Sequence, residues 1–400
     1  MQQSKVFITG MGIVSAIGMD VETTLDSLVS SRSGLGKIRL LDTRLKEKLI
    51  AGEIPYTDEE LLQMAGIDKV PGISRATLLG MIATKQAVRN SDFENDEKLQ
   101  TGLISGTTAE SMTSIEKYLP DFLSNDSRNE YIESQDWGFS TEIIAKSLGI
   151  NGFMTTINTA CSSASNAIML GARMIRQGRL DRAIVGGTDA LSKVMLNGFN
   201  SLMIVDPEPC KPFDDNRHGL NIGEGAAFFV LESEQVADRG KMIAEITGYG
   251  NANDAHHLTA LSPDGKGAFL AMKNALESCN LNPGDISYLN VHGTGTLNND
   301  LSEAIAIEKL FGKTPPVFSS TKPFTGHTLG SSGAIEAVIS ILALQHDLVF
   351  PNLNFSTPMH EVQVRPETSL VKNVEILHVM SNSLGFGGNN TSLIFSKVES

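Results

Sequence analysis

The alternation of strand-like and helix-like runs is the feature of this sequence that most restricts its fold. Short β-branched runs such as Lys5–Thr9 and Arg182–Gly186 predict strands, and apolar residues at helical spacing predict helices at Ser162–Gln177 and Gly333–Gln345. Strands that alternate with helices form parallel or mixed sheets covered by helices. The chain is therefore expected to be an α/β protein. Further predicted strands are Leu103–Gly106, Met154–Asn158, Gly225–Glu232, Ile243–Gly250, Ile286–Val291, Val317–Ser319, Glu375–Asn382 and Thr391–Lys397, and further helices are Thr77–Asn90, Gly267–Cys279 and Asp300–Phe311.

Two of these segments resemble each other. Asn158–Ile175 and Gly330–Leu344 each pass from a strand end through a Ser-Ser pair into an apolar helix whose first turns carry small residues. Small residues let a helix pack closely against a sheet. One interpretation is a coincidence between two buried helices. The other is an internal duplication with halves that meet near residue 240, so that residues 1–240 and 241–400 would be two related units.

Composition and charge restrict the classes of function. The 400 residues are 41% hydrophobic and include 32 Lys and Arg against 46 Asp and Glu, a net charge of −14. A general nucleic-acid binder usually needs a basic face, so this class is disfavoured. The apolar run Ala334–Leu344 is too short to cross a bilayer, and the N-terminus, broken by Gly10 and Gly12, does not resemble a signal peptide. Three cysteines are too few for a disulfide framework, which indicates a reducing compartment and a cytoplasmic protein.

Three side chains are candidates for chemistry. Cys161 follows a predicted strand and opens a predicted helix, where unpaired N–H groups and positive potential favour a thiolate. His292 and His327 each follow a strand and lie among glycines and threonines. Ligand sites of α/β proteins lie at the carboxyl ends of the strands, so we expect the three groups to converge there. Cys210 and Cys279 lack this context, since one lies in a loop and the other at a helix end.

A glycine loop, Gly385–Asn390, precedes the last predicted strand. One interpretation is a tight hairpin turn between two strands. The other is a functional loop that directs a backbone N–H at an oxyanion, with Phe386 as a mobile aromatic stop. The sequence alone leaves both open.

The motifs, taken in order, resemble those of β-ketoacyl-acyl-carrier-protein synthases, the elongating Cys-His-His ketosynthases of the thiolase superfamily. They are Thr-Ala-Cys161-Ser-Ser, His292-Gly-Thr-Gly-Thr, Lys322 with Gly-His327-Thr-Leu-Gly, and Gly-Phe386-Gly-Gly-Asn. Each motif alone is weak, but the ordered set is specific, and the similarity extends over nearly the whole chain. The resemblance implies a duplicated five-layer αβαβα thiolase fold and a dimer.

The resemblance also implies a reaction, the decarboxylative condensation of an acyl group with malonyl-acyl-carrier protein in fatty acid or polyketide biosynthesis. Cys161 would accept the acyl group, while His292 and His327 would polarise the malonyl thioester carbonyl and support loss of CO₂. Lys322 would orient the site and hold charge near His327. The backbone N–H groups of Cys161 and Phe386 would form the oxyanion hole, with Phe386 as a gate.

Supporting roles follow from the same resemblance. Thr294 and Thr296 would bind the phosphopantetheine arm that the substrate carries, and no separate cofactor is expected. Asp300 and Glu303 would support Lys322 and a water network, although an acidic helix start is also common for dipole reasons alone. A structural monovalent cation is expected at five oxygen-bearing residues, namely Asn290, Glu303, Glu336, Ser381 and Asn382.

The expected partners are an acyl carrier protein and either a second copy of the chain or a chain-length-factor-like subunit. Some segments depart from the family pattern. The connection 203–211 is short, basic residues are sparse at 58–69 where carriers often dock, and Asn299 replaces a usual glycine. Separately, the polar and charged composition of Asp121–Gln135 predicts an insertion outside the core.

Three rival functions remain at this stage. A non-decarboxylating thiolase would need a second cysteine near the C-terminus, and none follows Cys279. A cysteine hydrolase would leave Lys322 and His327 without a role. A non-catalytic chain-length factor would lack the nucleophile. The presence of Cys161 and both histidines favours an active enzyme, which can still pair with such a subunit.

Overall fold

The computed structural model describes residues 4–67, 72–91, 93–94, 96–122, 124 and 136–398. Most of the predicted insertion 121–135 and the residues around Lys69 lie outside these ranges. The strands are β1 (Val6–Ser15), β2 (Gly36–Lys37), β3 (Ile50–Ala51), β4 (Thr101–Gly106), β5 (Met154–Ile157), β6 (Arg182–Asp189), β7 (Gly225–Ser233), β8 (Ala244–Asn253), β9 (Tyr288–Asn290), β10 (Val317–Ser319), β11 (Leu348–Val349), β12 (Val371–Lys372), β13 (His378–Leu384) and β14 (Asn389–Ser396). The helices are α1 (Val21–Val29), α2 (Asp58–Ala65), α3 (Arg75–Ser91), α4 (Met112–Phe122), α5 (Phe139–Ser147), α6 (Ser163–Arg176), α7 (Lys193–Ser201), α8 (Lys266–Cys279), α9 (Leu297–Phe311), α10 (Lys322–Thr325) and α11 (Ser332–His346).

The main sheet repeats one arrangement twice. Its order is β10-β9-β13-β14-β8-β1-β7-β6-β4-β5, and the two halves are joined by a short antiparallel contact between β8 and β1. The first half reads β5-β4-β6-β7-β1 and the second reads β10-β9-β13-β14-β8. In both halves the first three strands are parallel and the last two pairings are antiparallel. This match of order and direction favours the internal duplication over coincidence. A boundary at residue 240 would fall in the connection between β7 and β8, and it stays a proposal.

Helices separate and cover the two half-sheets. The resembling helices α6 and α11 lie in the middle, since α6 contacts β4, β6 and β14 while α11 contacts β13, β7 and α6. Outside, α3 and α5 cover the first half-sheet and α8 covers the second, with α9 beside it. The layers therefore follow the predicted αβαβα order, and the thiolase fold is confirmed.

The central position of α11 explains its composition. Residues 332–344 are all buried, and a helix that is surrounded by protein is apolar on every face. A Cβ added at Gly333 would lie 2.0 Å from Ser165 Oγ on α6, so only glycine permits this approach. The apolar stretch that is too short for a membrane is thus the innermost helix. In the described part of the chain, no helix has the length and apolarity needed to cross a membrane.

Some element boundaries differ from the prediction. β1 continues past Thr9 to Ser15, because Gly10 and Gly12 lie directly against α3 rather than breaking the strand. A Cβ at Gly10 would lie 2.1 Å from the Ala87 carbonyl oxygen. Helix α2 was not predicted, although Thr57 and Glu60 form a capping box that the sequence displays. The three cysteines are free, as expected.

Candidate active site

A strained turn presents Cys161 between β5 and α6. We call Thr159–Ser162 the Cys161 turn. Ala160 has φ +53°, a left-handed conformation that costs an ordinary residue about 1–2 kcal/mol. Ser163 stabilises the turn, because its Oγ accepts a hydrogen bond from Thr159 N at 2.9 Å and donates one to the Ala160 carbonyl at 2.5 Å. Cys161 therefore lies immediately before the α6 N-terminus, as the sequence predicts.

The three predicted groups meet in one cavity of about 210 Å³. His327 Nε2 lies 3.0 Å from Cys161 Sγ, and the rings of His292 and His327 stand nearly perpendicular with centroids 5.2 Å apart. Ligand-type atoms of Cys161, His292 and His327 all lie within 4.8 Å of one another. The expected convergence at the strand ends is therefore present, because His292 follows β9 and His327 follows β10 and α10.

Lys322 determines which nitrogen of His292 carries the proton. Lys322 Nζ lies 3.2 Å from His292 Nδ1, donates to the His292 carbonyl oxygen at 2.5 Å, and pairs with the carboxylate of Glu336. An ammonium group has no acceptor, so it must donate to Nδ1. His292 is consequently an Nε2–H tautomer that can donate a hydrogen bond into the cavity.

His327 has a more versatile partner. Its Nδ1 lies 3.1 Å from Ser332 Oγ, at the start of α11. A hydroxyl can donate or accept, so Ser332 is compatible with either neutral tautomer. His327 Nε2 can therefore accept the proton of the Cys161 thiol in one step and act as a donor in another.

Burial controls the charge of the site. Burial and the nearby Lys322 ammonium lower the pKa of both His292 and His327 well below 6.5, so both imidazoles are neutral at pH 7. The charge of Lys322 therefore acts on His327 as well as on His292. Burial raises the pKa of the Cys161 thiol to about 11, and it outweighs the lowering by Lys322 and by the backbone N–H groups of Phe386 and Cys161. The thiol is therefore neutral at rest and needs a base, although its place before a helix N-terminus favours the thiolate.

The glycine loop forms the hairpin turn of the first interpretation, and its oxyanion role stays a proposal. It is the turn of an antiparallel hairpin between β13 and β14, and its Phe386 lines the Cys161 cavity. The Phe386 ring stacks on Phe199 of α7 with centroids 5.6 Å apart. The backbone N–H groups of Phe386 and Cys161 both lower the pKa of the Cys161 thiol, so they are the candidate donors at this sulfur.

Asp300 and Glu303 support the loop that carries His292 rather than Lys322. Asp300 accepts hydrogen bonds from the N–H groups of Thr294 and Gly295, and Glu303 accepts from those of His292 and Gly293 at 2.9 Å. The expectation that this pair supports Lys322 is corrected, because the carboxylate on Lys322 is that of Glu336. Burial raises the pKa of Glu303 and of Glu336 to about 7, in the second case against the lowering effect of Lys322.

The outer wall of the cavity holds the predicted threonines. Thr294 and Thr296 line it, with their hydroxyl oxygens 2.9 Å apart. Asn299, the departure from the family pattern, also lines the cavity and donates to Asp300 at 3.0 Å. His218 and Phe199 line the cavity too, and sequence reasoning missed them because neither lies in a glycine-rich motif.

The five residues expected to bind a cation are all buried. Among the described residues, Asn290 Oδ1, Ser381 Oγ and Glu336 Oε2 have no hydrogen-bond partner. Asn290 and Ser381 face each other on the paired strands β9 and β13. Buried oxygens without donors are what a hard cation would satisfy, so these residues fit the predicted group.

Comparisons with known proteins point to one family. The family model described as Beta-ketoacyl synthase, N-terminal domain, matches residues 3–237, and the model for the C-terminal domain matches 243–356. The chain is 34% identical to 3-oxoacyl-acyl-carrier-protein synthase 2 of Staphylococcus aureus (strain COL), covering 100% of this chain and 99% of that protein. It is similar to the solved structure of the ishigamide ketosynthase/chain length factor, with TM-score 0.91, 29% identity and coverage of 99% and 100%. It is also similar to a ketosynthase in complex with its chain length factor from Xenorhabdus doucetiae, with TM-score 0.84, 30% identity and coverage of 99% and 98%.

Proposed function

We propose a function on the premise that this chain belongs to the β-ketoacyl synthase family. It is an acyltransferase, a 3-oxoacyl-acyl-carrier-protein synthase of fatty acid or polyketide biosynthesis. It joins an acyl group on Cys161 to a malonyl unit on an acyl carrier protein with loss of CO₂. The observation that carries this proposal is the contact of 3.0 Å between Cys161 Sγ and His327 Nε2, beside a His292 that Lys322 holds as a donor.

The first half-reaction loads the enzyme. The Cys161 thiol gives its proton to His327 Nε2 while sulfur attacks the acyl thioester, because the thiol is neutral at rest. The oxyanion accepts hydrogen bonds from the N–H groups of Cys161 and Phe386. It collapses to the acyl-Cys161 thioester, and the leaving carrier thiolate takes the proton from His327.

The second half-reaction uses both imidazoles as donors. Loading leaves His327 neutral with its proton on Nδ1. Exchange with solvent then places the proton on Nε2, while the Ser332 hydroxyl donates to Nδ1. The malonyl thioester oxygen accepts hydrogen bonds from the Nε2–H groups of His292 and His327. The C–C bond to the carboxylate breaks, CO₂ leaves, and the electron pair forms an enolate that these donors stabilise. The enolate carbon attacks acyl-Cys161, a new C–C bond forms, and the Cys161 thiolate leaves and takes a proton from solvent. A carboxylate in place of either imidazole would repel the enolate.

The carrier and the partner subunit follow from the same proposal. The phosphopantetheine arm of the carrier lies along Thr294 and Thr296, and it is the only prosthetic group that the reaction uses. The chain acts as a homodimer or as the catalytic subunit beside a chain-length-factor-like partner, and the likeness to the ishigamide ketosynthase/chain length factor supports the second option. The cation held by Asn290 and its neighbours would neutralise the buried carboxylates there.

A thiolase reaction is less well supported. Such an enzyme uses a second thiol at the site, yet neither Cys210 nor Cys279 lines the Cys161 cavity. Burial raises the pKa of Cys210 to about 12, which makes it a poor nucleophile.

Two measurements test the proposal. Intact mass after incubation with a panel of acyl-carrier proteins should show one acyl group, absent from Cys161→Ala, and the acyl group retained identifies the primer. Cys161→Gln resembles an acylated site and should still release CO₂ from malonyl-carrier protein. Adding His292→Ala or His327→Ala should lower that release by about 10²-fold, the effect of losing one oxyanion donor. Undiminished CO₂ release in both histidine variants would contradict the proposed roles.

A further inference from the structure

A cluster of amide side chains lies directly behind the Cys161 turn. Asn166 of α6, Asn251 of β8 and Asn389 at the start of β14 are mutually hydrogen-bonded, and we call them the amide cluster. Asn251 Nδ2 lies 3.0 Å from Asn166 Oδ1 and 2.9 Å from Asn389 Oδ1, and Asn166 Nδ2 lies 2.9 Å from Asn389 Oδ1. None of the three side chains lines the Cys161 cavity. Their role therefore has to be indirect.

Asn389 Oδ1 is the shared acceptor of this cluster. Besides the two amide donors it faces Ser162 Oγ at 2.9 Å, and Ser162 directly follows Cys161. Asn166 Nδ2 also donates to Thr159 Oγ1 at 2.8 Å, at the other end of the Cys161 turn. Asn389 Oδ1 thus contacts one end of the Cys161 turn directly, at Ser162, and the other end, at Thr159, through Asn166.

Asn389 also closes the glycine loop. Its carbonyl oxygen accepts a hydrogen bond from Gly385 N at 2.9 Å, so residues 385–389 form a closed turn that contains Phe386. The loop lies directly against the Cys161 turn, because a Cβ at Gly385 would come within 2.8 Å of the Thr159 carbonyl and 3.3 Å of Ser162 Oγ. The loop therefore has little freedom to shift while the side chain of Asn389 is held.

These contacts join the two segments that supply the two donors of the oxyanion hole. The Cys161 N–H belongs to the turn and the Phe386 N–H to the loop, which lies against the turn, and both lower the pKa of the Cys161 thiol. We propose that Asn389 is a positioning residue, whose Oδ1 fixes the glycine loop against the Cys161 turn and so sets the separation of the two donors. This inference rests on the proposed function in that acyl transfer is the step that uses these donors.

The two half-reactions separate this role from a merely structural one. Acyl transfer uses the Cys161 and Phe386 N–H groups, whereas CO₂ release uses His292 and His327. Asn389→Leu should lower the rate of Cys161 acylation by about 10-fold to 100-fold, somewhat less than complete loss of a donor. In the Cys161→Gln background, Asn389→Leu should leave the rate of CO₂ release within about twofold of the parent, because the His292 and His327 donors are unchanged.

Variants of matched chemistry give the controls. Asn389→Asp keeps an acceptor for all three donors, so its acylation rate should recover to within about threefold of the wild type. Asn90→Leu removes a single amide hydrogen bond, to the Met11 carbonyl, far along the chain from the site and should leave both half-reactions unchanged. Asn389→Ser, whose side chain is too short to reach the donors, replaces Asn389→Leu if the latter does not fold.

A readout that needs no acyl substrate keeps the inference independent of the proposed function. The Phe386 N–H lowers the thiol pKa, so displacement of the loop in Asn389→Leu should shift the pH profile of Cys161 alkylation by iodoacetamide to higher pH. If the wild type accepts no acyl group but this shift occurs, the proposed function fails and the positioning role stands. An unshifted profile, equal losses in both half-reactions, or an Asp variant as slow as the Leu variant would overturn the positioning role.

Discussion

Replacing Lys322 by methionine tests whether CO₂ release depends on a fixed tautomer of His292. Lys322 Nζ is the group that donates to His292 Nδ1, and the side chain is fully buried. Without it, the proton can reside on Nδ1, and Nε2 then offers no donor to the enolate. Loss of one such donor costs about 10² to 10³ in rate, or about 2.7–4 kcal/mol. We therefore expect Lys322→Met to lower CO₂ release from malonyl-carrier protein by that factor, measured in the Cys161→Gln background.

The same change has a separate effect on stability. It leaves the Glu336 carboxylate buried without the Lys322 ammonium group. Removing one partner of a buried ion pair usually lowers the free energy of unfolding by about 3–5 kcal/mol. Burial already raises the pKa of Glu336 to about 7, and losing Lys322 raises it further, so the folded variant can take up a proton there. A carboxyl whose folded pKa lies above its unfolded pKa stabilises the fold at low pH and loses that contribution as pH rises through the folded pKa. Lys322→Met should consequently melt at a higher temperature at pH 6 than at pH 8, relative to the wild type.

A double variant separates the two effects. Lys322→Met with Glu336→Gln contains no buried charge at this pair, so its melting temperature should recover at pH 8. Its CO₂ release should stay low, because nothing donates to His292 Nδ1. Release within about threefold of the Cys161→Gln parent in Lys322→Met would refute the tautomer argument, since one donor is worth far more. Recovery of release in the double variant would assign the defect to the uncompensated Glu336 carboxylate.

Three further predictions follow from the same geometry. Because burial raises the Cys161 thiol pKa to about 11, its alkylation rate should still be rising at pH 10, with Cys161→Ala as the control; a plateau by pH 8 would show a stabilised thiolate instead. The edge strand β5 presents Met154, 41% exposed, so we expect this strand to pair with a second subunit. Light scattering that shows a monomer at micromolar concentration would contradict this prediction if that monomer is active without a separate partner subunit. Phe386→Ala removes the ring that stacks on Phe199 and should increase CO₂ release without a matching gain in condensed product; unchanged coupling would make Phe386 ordinary packing.

Local sequence signals were sufficient for the parts of the site that depend on chain direction. Cys161 and His292 each come shortly after a strand, and ligand sites of α/β proteins lie at strand ends, so both were recognisable as candidates. Their meeting depends on how the two half-sheets pack, because β5 and β9 lie in different halves and run in opposite directions. The duplication was visible in two helices because both occupy the same buried layer. The length of β1 was not predictable, since Gly10 and Gly12 are needed for contact with α3, a fact that lies in tertiary packing rather than in strand propensity.

The electrostatic state of the site required the folded structure. The helix N-terminus near Cys161 favours a thiolate, but its effect is smaller than the cost of removing that charge from water in a cavity. The partner of Lys322 was also hidden, because Glu336 reaches it only through the docking of α11. Glu303, which was expected beside Lys322, instead caps two backbone N–H groups of the His292 loop.

The structure makes two chemically identical imidazoles unequal. Both His292 and His327 are buried and neutral, so their difference arises from what faces each Nδ1. A lysine faces His292 and can only donate, which restricts that ring to donating from Nε2. A serine hydroxyl faces His327 and can do either, which lets Nε2 take the Cys161 proton during loading and donate to the enolate afterwards. In the proposed mechanism, the ring that changes role is the one in contact with Cys161 Sγ. Exchanging Ser332 for alanine should therefore slow both half-reactions moderately, whereas loss of Lys322 should impair CO₂ release more than it impairs acylation of Cys161.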